Sequence, residues 1–153
     1  MKKVNEVESK KIGQPVRIRL HSSIRHPGQE IETHELQATG RLIEKANAFY
    51  LKYDENHNGD KIQTTLKMSD RDALIMRSGA VKMRLPFDTE HNRVGEYGNG
   101  PATFELQVKT NHLEFTRETT DKSGQFIVHY ELHTEGSLLG TYKLNITYME
   151  GTK

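Results

Sequence analysis

Two histidines and a glutamate lie close together in the sequence, with residue types that could hold a metal ion. His129, Glu131 and His133 alternate along one segment, so they would share one face of a β-strand. Imidazole and carboxylate groups are common zinc ligands, but residues four apart on a strand are separated by ~13 Å. His129 and Glu131 would therefore need a third ligand from another strand, such as His21 or His34. An exposed polar face is the favoured interpretation, and we predict no metal.

A second candidate is the run Asp54-Glu55-Asn56-His57-Asn58-Gly59, which resembles the front of a calcium-binding loop. That motif places a bidentate Glu six positions after the Gly, and this position is Thr65 here. Asn and Gly are also typical of hairpin turns. A hairpin loop is therefore the better account of this segment.

The third candidate is a group of basic residues on a segment that folds back on itself. The segment from Asp72 to Phe87 predicts a β-hairpin that turns near Ser78, Gly79 and Ala80. Alternation with a short loop places Leu74 and Met76 on one face with Val81, Met83, Leu85 and Phe87. The other face would carry the basic residues, and we predict a ligand site from three of these and one aromatic residue. These four residues are Arg77, Lys82, Arg84 and Tyr97.

Other catalytic and cofactor-binding patterns are missing from the sequence. There is no Cys, which excludes disulfides, thiol nucleophiles and zinc–thiolate sites. The sequence has no Gly-x-Ser-x-Gly nucleophile elbow, no P-loop and no dinucleotide fingerprint. We therefore predict no catalytic residues, no cofactor and a protein that is not an enzyme.

The elements that must position these residues are β-strands. Apolar residues alternate along most of the chain, as in Tyr142, Leu144, Ile146 and Tyr148, and no helical period holds over a helix's length. Turn signals at regular spacing predict eight to ten antiparallel strands that close into a barrel. Gly40 predicts a bulge or sharp bend. We expect one domain over residues 1–153, with 1–13 a loose arm.

The composition limits the partners and the compartment that can be expected. The chain is 33% hydrophobic and 28% charged, with a formal net charge of +1, so it has no overall attraction to nucleic acid. No stretch reaches the apolar length of a membrane helix, and the first residues lack the apolar run of a signal peptide. We expect a cytoplasmic protein with no membrane partner.

Short sequence features along the whole chain together fit one known pattern. They are Phe49-Tyr50-Leu51-Lys52-Tyr53-Asp54, Thr64-Thr65-Leu66-Lys67, Arg77-Ser78-Gly79, Met83 to Phe87, Tyr97, Val108-Lys109-Thr110 and Tyr130-Glu131-Leu132. With these features the chain resembles the YwiB-like family of uncharacterised bacterial proteins. This resemblance implies a calycin-like, lipocalin-like β-barrel in a bacterial cytoplasmic protein, and it brings no catalytic residues with it.

These observations favour a non-enzymatic protein that binds a small ligand, an anionic one among the candidates, at the mouth or rim of a barrel. The alternative is an RNA- or protein-interaction module that uses an outer basic face. The bases considered for that face are Arg17, Arg19, Arg77, Lys82 and Arg84, with Tyr50 or Tyr97 available for stacking. The direction of Arg77 distinguishes the two hypotheses, since an inward side chain beside a cavity favours a ligand. An enzyme that uses His129 and Glu131 is a third hypothesis, and the oligomeric state is left open.

Overall fold

A computed structural model of the protein describes residues 13–69, 71–98, 101–118 and 122–151, and the predicted arm lies largely outside them. The regular structure of these residues is entirely β-strand, and they contain no helix that is long and apolar enough to cross a membrane. The strands are β1 (Gln14–Arg25), β2 (Glu32–Lys45), β3 (Ala48–His57), β4 (Asp60–Met68), β5 (Asp72–Gly79), β6 (Lys82–Asp88), β7 (Arg93–Gly98), β8 (Thr103–Glu118), β9 (Ser123–Thr134) and β10 (Ser137–Glu150).

The ten strands form one closed antiparallel barrel in which every strand pairs with its neighbours along the chain. The first strand closes the sheet by pairing with the last, in a register that runs from Val16 opposite Glu150 to Arg25 opposite Thr141. Closure leaves no edge strand, because each of the ten strands has a paired neighbour on both sides. The predicted antiparallel barrel of eight to ten strands is therefore confirmed.

Several connections between strands are two-residue turns in which both residues have a positive φ, a conformation that Asn and Gly adopt readily. Between β3 and β4 the turn is Asn58-Gly59, with φ of 53° and 88°. The segment that resembles a calcium loop is therefore a hairpin, in which the strands run on to His57 and Asp60.

The long strand β8 runs through a pair of residues typical of turns. On sequence alone, Asn111-His112 predicts a turn between two strands, but the strand continues through both residues. The register against β9 shifts between Thr110 and His112, so Asn111 is the extra residue of a β-bulge. Residues typical of turns therefore accommodate a bulge at this point, and the strand does not end there.

The bulge predicted as one alternative at Gly40 is absent, because the β1–β2 ladder continues through it in register and the β2–β3 ladder ends at it without a shift. Gly40 pairs with Val16 on β1 and with Tyr53 on β3. A Cβ atom at this inward position would collide with the Lys52 carbonyl oxygen and the Ile18 side chain. Gly40 is therefore needed for the close approach of β2 and β3.

One end of the barrel interior is filled by large apolar side chains. Here Val16, Leu51, Met68, Phe87 and Phe126 are each at most 1% exposed. These residues come from strands all around the barrel, so they form a plug across its width. We call this the packed end; the turns between β3 and β4 and between β5 and β6 lie at the opposite end.

We expect Gly40→Ala to lower the free energy of unfolding by about 1–3 kcal/mol, because the added methyl group has no space and the backbone must shift. Urea denaturation measures this change. Thr39→Ala, at an exposed outward position on the same strand, should stay within ~0.5 kcal/mol of the unmodified protein. Equal effects of the two substitutions would contradict the role given to Gly40.

Candidate functional site

A cavity of ≈ 880 Å³ occupies the barrel interior at the end opposite the plug. Its size lies within the range of small-molecule sites. Most of its wall is apolar, with leucine and isoleucine side chains from strands around the barrel. Among these wall residues are Leu20, Leu36, Ile75, Leu106 and Leu144.

A row of paired interior residues crosses one side of this cavity from strand to strand. Because directly opposite residues of an antiparallel sheet share a face, this row presents its side chains to the same interior. It brings one cation, one hydroxyl and two tyrosines to the same level of the barrel. In order from β3 to β8 the row is Tyr53, Thr64, Arg77, Met83, Tyr97 and Phe104.

An ion pair lies in the wall of the cavity between Arg77 and Glu55. Arg77 Nη2 lies 3.1 Å from Glu55 Oε1, and the side chains are only 24% and 12% exposed. The hydroxyl of Thr64 donates a hydrogen bond to the same carboxylate oxygen at 3.4 Å. Arg77 Nε is buried and has no hydrogen-bond partner among the described residues. The guanidinium therefore retains an unused donor inside the barrel.

Three tyrosines that line the cavity have raised pKa values. Burial, and next the charge of Glu55, raise the pKa of Tyr53 to about 12. Burial also raises the pKa of Tyr130 and of Tyr142 above the ordinary value. The cavity therefore offers hydroxyl groups that are uncharged at neutral pH beside the Arg77–Glu55 pair, and Glu35 and Lys143 also line it.

Aromatic rings connect the packed end to the cavity. The ring centroids of Phe87 and Tyr130 are 4.7 Å apart, and Tyr130 stacks on Tyr142 at 4.9 Å with an interplanar angle of 8°. Such contacts stabilise buried rings beyond the area they bury. This stack gives the cavity a rigid aromatic wall.

The structure corrects the predicted faces of the β5–β6 hairpin. Arg77 pairs with Met83 and points inward, although the sequence interpretation placed it outside or at the rim. The reason is the connection between the strands. Five residues, 78–82, separate the paired Arg77 and Met83, whereas the expected two-residue loop has an even number. Ser78 and Gly79 pair with β4 instead of β6, and Gly79 adopts a φ of 103°. The inward residues of β5 are therefore Ala73, Ile75 and Arg77, whereas Leu74 and Met76 face outward.

Two of the four predicted ligand-binding residues come together at the cavity, and two do not. Tyr97 lines the cavity with Arg77, and only Met83 lies between them in the row. Lys82 and Arg84 flank Met83 on the same strand and face outward. Arg17 and Arg19 lie on β1, five strands away in the barrel, so the five bases considered for an RNA face do not form one surface.

Sequence analysis missed Glu55, which belongs to the segment that resembles a calcium loop. Glu55 lies two residues beyond Tyr53 on β3, so both side chains share the inward face. Its contact with Arg77 depends on the β3–β4 and β4–β5 registers. One sequence signal could have identified Arg77 as inward, namely its even spacing from Ala73 and Ile75. A charged residue in phase with buried apolar ones indicates a site within the core.

The histidine group on β9 lies on the outer surface, away from the cavity. Glu131 accepts hydrogen bonds from Asn111 at 2.9 Å and contacts His133 Nε2 at 2.9 Å. His129 packs against His112 with ring centroids 5.2 Å apart, and burial together with nearby positive groups lowers the pKa of His129. The residues that the structure describes include no group of three or more ligands arranged for a metal ion.

The barrel wall separates beside the ion pair. The β2–β3 ladder ends at the pair of Gly40 and Tyr53, so beyond it Glu32–Thr39 pairs only with β1. Residues on both sides of this split line the cavity, including His34 and Leu36 on β2 and Glu55 on β3. The cavity therefore extends to an opening between two strands.

Fold and site together define a ten-stranded antiparallel β-barrel that is packed at one end and encloses an ion pair in a cavity at the other. The chain belongs to the family described as "Domain of unknown function (DUF1934)", which matches residues 18–146. It is 31% identical over 138 residues to the uncharacterized beta-barrel protein YwiB of Bacillus subtilis (strain 168), covering 90% of this chain and 95% of that protein. The crystal structure of the Bacillus subtilis YwiB protein matches with a TM-score of 0.80 and 30% identity, covering 91% of this chain and 93% of that one. The resemblance to the YwiB-like family is thus confirmed.

We expect the buried tyrosines to make the protein less stable in alkali. The pKa of Tyr53 is about 12 in the folded protein and about 10 when unfolded. Between these values the unfolded chain loses the proton and the folded chain keeps it, so stability falls as pH rises above about 10. Tyr53→Phe should remove the part of this loss that Tyr53 causes, which reaches about 1.4 kcal/mol at pH 11.

Urea denaturation at pH values between about 8 and 11 measures the effect. Tyr50→Phe is the matched control, since it removes an outward-facing tyrosine from the same strand and should keep the original dependence on pH. Parallel pH curves for Tyr53→Phe and the unmodified protein would refute the burial argument.

Proposed function

We propose that this protein is a non-enzymatic binding protein whose ligand occupies the interior cavity. The ligand is a small, largely apolar molecule with a hydrogen-bond acceptor at one end, and a carboxylate is the acceptor that a guanidinium binds best. The observation that carries the proposal is the Arg77–Glu55 pair, because its buried Arg77 Nε has no partner among the described residues. This placement is deeper than the mouth or rim expected from the sequence.

The energetics of the ion pair support a role beyond stability. Moving two charges out of water costs several kcal/mol per ion, and apolar residues in their place are often neutral or stabilising. A cavity wall with leucines and isoleucines nearby could accept such residues. An arginine with an unused buried donor is therefore better explained by a ligand that accepts its hydrogen bond.

The mouth of the cavity supports the apolar part of the ligand. Phe104 is 63% exposed, Tyr97 is 41% exposed and Leu139 is 37% exposed, and all three also line the cavity. Apolar side chains that are both exposed and continuous with a cavity are typical of a ligand entrance. A molecule that enters would contact these side chains first and the ion pair last.

We expect the probe 1-anilinonaphthalene-8-sulfonate to bind, because it combines an apolar body with one anionic acceptor. Arg77→Met should weaken its binding by about 10- to 100-fold, since a hydrogen bond to a charged group is worth ~1.5–3 kcal/mol. Fluorescence titration measures the dissociation constant. Arg84→Met removes a base of the neighbouring strand that faces outward, and it should leave binding unchanged.

A second pair of variants distinguishes a specific contact from a general loss of folding. The double variant Arg77→Met/Glu55→Gln removes both charges, and it should fold like the unmodified protein while binding the probe as weakly as Arg77→Met. If both variants bind the probe as tightly as the unmodified protein, the interior site is refuted.

Glu55→Gln tests the anionic character of the ligand separately. Removal of this carboxylate leaves the Arg77 charge without its counter-ion, so a sulfonate or carboxylate should bind more tightly, by about tenfold. Isothermal titration calorimetry with octanoate and with 1-octanol compares an anionic and a neutral head group on one chain. A gain for octanol but not for octanoate would contradict a carboxylate ligand.

The relative named above is a bacterial protein, and a bacterial host fits the family. The cytoplasmic location and the lipocalin-like character of the barrel stay predictions that belong to this proposal. The absence of catalysis is also a prediction, and it agrees with the outward position of His129 and Glu131, away from the cavity.

A further inference from the structure

A set of basic side chains that the cavity does not use lies on the outer surface of four adjacent strands. The β1–β2 register places Arg17 opposite Thr39 and Arg19 opposite Gln37. The next registers continue the same outward face across β3 and β4. We call this surface the basic face; its cations are Arg17, Arg19, Arg41, Lys52 and Lys67.

No acidic residue lies opposite these cations in the ladders of the described strands. The partners of Arg17 and Arg19 on β10 are Met149 and Thr147, and Lys52 faces Thr65 on β4. Within the part of the chain that the structure describes, none of the five cations forms an ion pair.

The nearest carboxylates lie at the border of the basic face or on the other side of the sheet. Glu35 is opposite His21, and Asp54 forms an ion pair with Lys61 at 3.3 Å. Glu44 belongs to the inward set of β2 and lines a separate pocket at the packed end. The glutamates that lie between these basic residues in the sequence therefore do not neutralise them in the folded protein.

Two of the cations lie directly opposite each other. Arg41 on β2 pairs with Lys52 on β3, both outward and exposed. Like charges in such a pair destabilise a sheet. The whole chain has a formal net charge of only +1, so the five positive charges of this face leave the rest of the molecule net negative. Such a local charge excess, kept at a cost in stability, indicates an anionic partner.

We propose that the basic face binds the phosphate backbone of single-stranded nucleic acid, with Tyr50 as a stacking platform for one base. Tyr50 lies outward beside Lys52 and opposite Lys67, whose Nζ is 5.9 Å from the ring centroid. Cationic grooves with an interleaved aromatic side chain are the recurring pattern of single-strand binding.

The shape and composition of the surface favour this partner over others. The outside of a barrel is convex, so a rigid duplex would touch it at few phosphates, whereas a flexible strand can follow its curvature. Protein interfaces bury a core of aromatic and apolar residues. The neutral positions between the cations include the polar Gln37, Thr39, Thr65 and Thr147, and no aromatic residue other than Tyr50. The apolar ones, Pro15, Ile43 and Met149, are few and separate.

The test measures binding of a fluorescein-labelled oligouridine of about 12 nucleotides, a length within the usual site sizes. Fluorescence anisotropy gives the affinity at KCl concentrations between about 50 and 200 mM. Five phosphate contacts predict a slope of log K against log[KCl] of about −3.5, so affinity should fall by about 100-fold over this range.

Paired variants locate the contact. Arg41→Gln/Lys52→Gln should weaken binding and reduce the slope by about 1.4, because two contacts are lost. The matched control Lys82→Gln/Arg84→Gln removes two outward basic side chains from β6, across the barrel. It should change neither the affinity nor the salt slope. Tyr50→Leu should weaken binding at unchanged slope, since stacking involves no counterion release.

Stability provides an independent readout. If Arg41 and Lys52 served only the fold, Arg41→Gln/Lys52→Gln would lower the melting temperature. The proposal expects an equal or higher melting temperature, because the repulsion between the two side chains is removed. Arg77→Met should leave oligouridine binding unchanged. The proposal for the basic face and the proposal for the cavity can therefore be refuted separately.

Three results would overturn the proposal. The first is a salt slope no steeper than about −1, and the second is an equal loss of affinity in the β6 control. The third is binding to vesicles of phosphatidylglycerol, or to a polyglutamate peptide, that is tighter than to oligouridine at the same salt concentration. That result would assign the face to a membrane surface or to an acidic protein segment.

Discussion

Closure of ten strands into one barrel is the constraint from which the rest of the molecule follows. The interior of an eight-stranded barrel is about wide enough to be filled by side chains, and each added strand widens it. Here the large side chains at the packed end, among them Phe87, Phe126 and Met68, fill the wider interior. At the other end the inward residues leave a cavity of ≈ 880 Å³. The cavity thus arises from strand number and from the uneven distribution of side-chain size along the barrel axis.

The charged groups in this cavity lie in surroundings of low polarity. Arg77 and Glu55 compensate each other at 3.1 Å, and Thr64 supplies a further hydrogen bond to the carboxylate. Burial raises the pKa values of the neighbouring tyrosines above the ordinary value, so these side chains stay neutral even in mild alkali. The Arg77–Glu55 pair therefore lies among apolar side chains and neutral hydroxyl groups. An arrangement of this kind adds little stability, but it orients a ligand by its polar end.

The sequence was sufficient to predict the fold, but it predicted only part of the site. Alternation predicted the strands and the barrel, and it predicted the inward side of Met83, Leu85 and Phe87 correctly. It failed for Arg77 because an odd instead of an even number of residues in a hairpin connection reverses the faces of one strand relative to the other. Glu55 could not be assigned, since its meeting with Arg77 depends on two strand registers. Local patterns determine which residues alternate, but registers determine which of them meet.

The same alternation allows one strand to serve two surfaces of opposite chemistry. On β3, Tyr53 and Glu55 face the cavity, while Tyr50 and Lys52 belong to the basic face. The two surfaces can interact only through the backbone between them. The repulsive pair of Arg41 and Lys52 lies next to the pair of Gly40 and Tyr53, where the β2–β3 ladder ends and the wall of the cavity opens. An anion that neutralises the two cations would therefore strengthen the last pairs of that ladder, beside the opening to the cavity. The basic face and the opening of the cavity therefore meet at one pair of strands.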